Sequence, residues 1–318
     1  MNNNHRLRGQ GLALIGVCGL LLGGMGCREE RRPLPVSTSE AWSSFISTSS
    51  FAVVDRETTI DTRTFFLESP GILDRGFERV SGCSAPKSPD AVLFIGHYPP
   101  ASPALLKTIS AWQACTKRAV KRVIVLSPDH YQRLETGFAT TYQSYRVQDR
   151  LIPPATSFVQ RLQALGAVSS TLFTQEHGVG VPLALAETYW PQLESATAIV
   201  ASRKIDEKDA RTLAKELRAF ADEPDSLVLI SVDFSHGLPR KEAQAMDRET
   251  RQALLAARRS FFWYAQDTHT DFGRGVWILL QLLSERGQPF IDQSFDSVDL
   301  GGETTNVTTF FSGWLTKN

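Results

Sequence analysis

Four histidines, His97, His130, His177 and His236, stand at abrupt polar junctions of a 318-residue chain. Their settings read Gly96-His97-Tyr98-Pro99-Pro100, Ser127-Pro128-Asp129-His130, Glu176-His177-Gly178 and Asp233-Phe234-Ser235-His236-Gly237. Neutral imidazole is the commonest protein ligand for metals, and its proton is exchanged near neutral pH. A histidine so placed can also act as acid or base. Any one of these histidines could simply bond a nearby carbonyl. Four of the five beyond the N-terminal leader in such places point instead to a metal or acid/base site. His269, in Thr268-His269-Thr270, reads as a surface loop residue. Ser231 and Ser235 read as strand-end and turn residues, and no Gly-x-Ser-x-Gly elbow supports a serine hydrolase.

The elements that must position these residues alternate between strands and helices. Continuous apolar runs over 91–95, 122–126, 197–201 and 226–232 predict buried strands, three of them just ahead of a candidate histidine. In an open α/β sheet, ligands gather at the carboxyl ends of such strands. Helical spacing predicts helices over 103–119, 156–165, 182–190, 206–221, 240–260 and 274–285, the first with Pro103 near its start. Residues 129–152 read as irregular, and 51–88 show no clear period. Alternation over 290–298 and 306–315 predicts antiparallel strands. The sum is an α/β single domain over 51–318, with a mixed central sheet flanked by helices. Tyr98, Tyr131 and Phe234 read as core packing or as faces for an aromatic substrate; Trp263, Trp277 and Trp314 read as core. The charged residues along 240–259 read as a solvated helix face.

Composition narrows the function. Lys plus Arg equals Asp plus Glu at 34 each, so no basic field exists for nucleic acid. Losing residues 1–26 removes only Arg6 and Arg8, leaving 32 basic against 34 acidic residues. That N-terminal stretch has a positive start and a short, glycine-rich apolar region, which suits a secretory signal better than a membrane span. Its end, Gly24-Met25-Gly26-Cys27, looks like a bacterial lipoprotein signal, with Gly24 where leucine is usual. Cys27 would be lipidated and residues 27–50 would tether the domain, facing the periplasm, to the cell envelope, with Arg28 favouring the outer membrane. Ordinary cleavage nearby is the other reading. Cys83 and Cys115 then remain; an oxidising compartment would permit their pairing, which the sequence leaves open.

Together with their neighbours, the four histidine segments resemble the Memo family, known in bacteria as AmmeMemoRadiSam system protein B. Gly96-His97-Tyr98 is similar to Pro-His-Ala-Gly-Tyr, and Leu126-Ser127-Pro128-Asp129-His130 to Leu-Gly-Pro-Ser-His. Glu176-His177-Gly178 through Pro182 resembles Glu-His-Ser-x-Glu-x-x-Leu-Pro without its second Glu, and residues 231–236 resemble Ser-Ser-Asp-Phe-Ser-His. The likeness spans roughly residues 90–315. It implies the fold of class III extradiol dioxygenases, which hold non-haem Fe(II). By this resemblance His97 and His130 are metal ligands of one iron or copper ion, ahead of zinc. His177, Asp233 and His236 line the same pocket in catalytic roles.

One position departs. Thr270-Asp271-Phe272-Gly273-Arg274 sets Phe272 where much of the family has Cys before Gly-Arg. Either Asp271 or another acid completes the metal site, or the pocket binds metal weakly or not at all. The expected function is therefore a lipid-anchored, metal-binding protein with redox or dioxygenase-type chemistry. The alternatives are a non-catalytic module for a small aromatic or peptide ligand on the same fold, and a metal-dependent hydrolase.

Overall fold

The computed structural model describes residues 59–317 except 67–70, 74–76, 78, 84, 86, 148, 170 and 171. The leader, Cys27 and the tether lie outside the described residues. Four parallel strands form the centre of an eight-stranded sheet: β2 (Pro89–Ile95), β3 (Arg122–Pro128), β8 (Ser195–Ala201) and β9 (Ser226–Ser231). Their spatial order is β2, β9, β3, β8, so β9 enters last in sequence yet lies between the first two. These are the four predicted apolar runs. They are apolar throughout because both faces are covered. Leu93, Val125 and Leu229 face one core layer, while Val92, Ile124 and Ile230 face the other.

Helices α1 (Ser102–Thr116) and α3 (His177–Tyr189) pack on the first face. Helices α2 (Thr156–Ala164), α4 (Glu207–Asp222), α5 (Arg240–Leu255), α6 (Arg259–Trp263) and α7 (Gly273–Gln281) contribute to the second layer. In α4 the Asp206 side chain accepts from the Asp209 amide at 2.8 Å, an N-cap, and Leu213, Leu217 and Phe220 form its buried stripe. The predicted C-terminal strands pair antiparallel as β10 (Pro289–Asp296) and β11 (Thr309–Thr316), and β11 adds antiparallel to β2. The outcome is the predicted mixed α/β domain.

Several expectations are corrected. Residues 129–152 are not irregular: they hold β4 (Phe138–Thr140), β5 (Ser144–Val147) and β6 (Arg150–Ile152). β4 pairs antiparallel with β8 and carries β7 (Val168–Ser169) at the sheet edge, while β5 and β6 join β1 (Thr59–Asp61) in a small second sheet. Strands of three or four residues are too short to show a period. The helix predicted over 240–260 is two helices, with Ala257 between them in the left-handed region at φ 49°. α3 begins at His177, five residues before Pro182, which sits inside the helix. Trp277 and Trp314 are buried, whereas Trp263 is only half-buried. The pairing left open by the sequence is made: Cys83 and Cys115 form a disulfide, with Cα atoms 4.5 Å apart, that ties the segment before β2 to α1.

Candidate metal centre

His97 follows β2, His130 follows β3, and Asp233 and His236 follow β9, so three neighbouring parallel strands deliver them to one end of the sheet. His177 arrives as the first residue of α3, and Asp271 from the loop ahead of α7. The chain therefore brings all six predicted site residues together. His97, His130 and His177 each offer a ligand atom, and these atoms lie within 4.8 Å of one another, close enough to hold one metal ion. The ring centroids are 4.7 Å (His97–His130), 5.1 Å (His97–His177) and 4.2 Å (His130–His177) apart.

The rings of His130, His97 and His236 each have a hydrogen-bonding partner. His130 Nδ1 bonds Glu176 Oε1 at 2.5 Å, which turns Nε2 towards Asp271 Oδ2 at 3.2 Å. His97 Nδ1 bonds the Ser231 hydroxyl at 3.0 Å, and its Nε2 meets the same Asp271 oxygen at 3.2 Å and Asp233 Oδ2 at 3.5 Å. Two Nε2 atoms thus converge on one carboxylate oxygen, each ring held from its far side. Metal-binding histidines are usually fixed in this way. His236 Nδ1 donates to the Phe234 carbonyl, which leaves Nε2 4.0 Å from Asp233 Oδ2. The donor set, with its outer partners already in place, fits a first-row transition ion.

Backbone detail explains the close approach. The His97 amide donates to Asp233 Oδ1 at 3.1 Å, and a Cβ on Gly96 would stand 2.8 Å from that oxygen. A Cβ on Gly178 would overlap Ser127 Oγ and crowd His130 Cε1 at 3.1 Å, so the first turn of α3 reaches the site only with glycine there. Glu176 is the N-cap of α3, accepting from the Gly178 amide at 3.1 Å and from the His130 amide at 3.1 Å. One buried carboxylate thus starts a helix and orients a ligand.

Charge follows these contacts. Burial opposes a proton on His130, but the Glu176 charge and the bonds to Asp271 and Glu176 outweigh it and push its pKa up to about 10. Burial drives His177 well below the usual histidine range, helped by the neighbouring His130 and His97. Asp271 is held well below the usual carboxylate range; burial works against this, but the bonds from His130 and His97 prevail. Asp233 is pushed up by burial and by the Asp271 charge.

Two residues of this site carry little sign of their role in the sequence. Ser231 is more than a strand-end residue, since it holds His97. Glu176 had only its place before His177 as a signal. Phe272 packs in the apolar layer beside Gly275, while Asp271 carries the carboxylate to the imidazoles. Phe234 is buried and Tyr98 stacks on Phe310, so both serve packing. His269 sits against Phe261 and Glu249, away from the cluster.

The chain matches the sequence profile of the Memo-like protein family over residues 106–292. No curated relative matches the sequence. Among solved structures, it is similar to the crystal structure of an uncharacterized protein from Escherichia coli K12, with 14% identity and a TM-score of 0.41 over 69% of this chain and 98% of that one. With a profile match across more than half its length, the chain belongs to the Memo-like protein family.

Proposed function

We propose that this protein is an exported, lipid-anchored metalloprotein that uses one iron or copper ion for redox or oxygenase-type chemistry. The observation that carries the reading is the convergence of His97 Nε2 and His130 Nε2 on one Asp271 oxygen, both at 3.2 Å. His97, His130 and Asp271 would hold the ion, with His177 beside them. The bound ion would supply a redox-active Lewis acid with positions left for substrate. Around it, Glu176 and Ser231 orient the ligands, Asp233 holds the His97 backbone and faces its ring, and His236 Nε2 is placed to take or return a proton. The Cys83–Cys115 disulfide supports an oxidising compartment, as export requires. Cys27 would carry the lipid.

The test is the metal content of the full chain, extracted in detergent through a tag without histidine, beside a His97→Ala/His130→Ala double variant. About one iron or copper per chain, lost in a variant of unchanged circular dichroism, supports the metal reading. A wild type that takes up neither ion under anaerobic loading sinks it. Cys27→Ala tests the anchor separately: it should move the protein from the detergent phase to the aqueous phase.

A further inference from the structure

Beside the centre lies a cleft of about 250 Å³ that Asp271 shares with it, lined also by Arg203, Trp263, Tyr264, Asp267 and Arg274. Its charges are unevenly matched. Asp267 accepts two bonds from Arg203 Nη1, at 2.7 and 2.8 Å, and Asp271 is held by two imidazoles. Arg274 has no such partner: among the described residues, no carboxylate lies within ion-pair distance of it. Its guanidinium lies 3.4 Å from the centroid of the Trp263 ring, and Nη1 donates to the Trp263 carbonyl, so the group is fixed in place. Half-buried, it keeps a charge that an anion entering the cleft could match. Arg203 adds a second mismatch, because its Nε is enclosed with no hydrogen-bond partner.

We propose that this cleft binds the carboxylate of a small organic acid through Arg274, with Arg203 assisting, and so seats the molecule on which the neighbouring centre acts. A planar guanidinium already pinned along one edge presents its remaining N–H groups as a fork, which suits a carboxylate in two-point contact. The exposed Tyr264 ring offers apolar area for the body of the acid. The substrate role rests on the proposed function, whereas capture of the acid does not require the metal.

The test uses benzoate and its neutral isostere benzamide, titrated into the full-length chain in detergent with and without bound metal, and read by calorimetry and tryptophan fluorescence. Charge-assisted bonds predict benzoate binding about tenfold or more tighter than benzamide. Arg274→Gln should abolish that preference, and Arg274→Lys should keep part of it. Equal affinities, no binding by either compound, or a preference that survives Arg274→Gln would overturn the proposal. Inorganic phosphate binding tighter than benzoate would overturn the carboxylate assignment. If Arg274→Gln does not fold, Arg274→Lys carries the test and must weaken benzoate while leaving benzamide unchanged. Benzoate preference in a chain that takes up no metal would leave the cleft standing while the metal reading fell.

Discussion

The two ends of strand β2 each carry a buried carboxylate cluster, and they are built from different cations. At the amino end, Asp90 is 1% exposed and bonded by Arg218 at 2.7 and 3.2 Å, by Lys317 at 3.2 Å and by the Ala91 amide at 2.7 Å. At the carboxyl end, Asp271 and Glu176 are matched by His97 and His130. Arginine keeps its charge at any pH the fold meets, so the Arg218–Asp90 pair is a fixed clamp. Imidazole can exchange its proton for a metal, so the second cluster could take an ion in place of a proton. Similar burial and similar acids meet fixed cations at one end and imidazoles that could take a metal at the other.

Removing an acid from each end should separate these roles. Asp90→Asn should cost about 2–3 kcal/mol in denaturant unfolding, below the value for a fully buried pair because Arg218 keeps part of its solvation. Metal content should not change; a loss of metal would mean that the two ends are coupled. Glu176→Gln should do the reverse, weakening metal affinity roughly 10–100-fold in competition with a chelator. A wild-type affinity there would show that His130 needs no partner.

The pH response sharpens the contrast, because the signs oppose. Burial works against the Asp90 charge, but Arg218, the Ala91 amide and Lys317 lower its pKa. Its stabilisation is present above the unfolded carboxylate value and lost as pH falls through the folded one. His130 is raised from 6.5 to about 10, so its stabilisation is full below 6.5 and lost as pH climbs through about 10. Thermal melts of metal-free protein should therefore lose the Asp90 share in acid and the His130 share in alkali. Asp90→Asn should flatten only the acid limb. Metal must displace the His130 proton, so loading at neutral pH should release about one proton, measured by calorimetry in buffers of different ionisation enthalpy. Ser231→Ala should have the smallest effect, about 1 kcal/mol or several-fold in metal affinity, since His97 loses one hydroxyl bond.

The same division explains what the sequence disclosed. The four parallel strands were legible because burial on both faces leaves unbroken apolar runs, and His97, His130 and His236 because each follows such a run closely. Asp271 emerged only as one option for the place of the family cysteine, since adjacent positions of a loop can trade which side chain points inward. Glu176 and Ser231 escaped as orienting groups because a buried acid or hydroxyl carries no sign of its partner. Glu176 lies 46 positions from the ring it holds, and Ser231 lies 134 from His97. The short strands between 138 and 152 were invisible for a local reason, being shorter than the period that would reveal them.

Glu176 has a dynamic consequence. Because it both caps α3 and grips His130, fraying of that helix would loosen the candidate metal site. Amides in the first turn of α3 should thus exchange with deuterium at a rate set by metal occupancy. The start of a helix becomes a gauge of what the site holds.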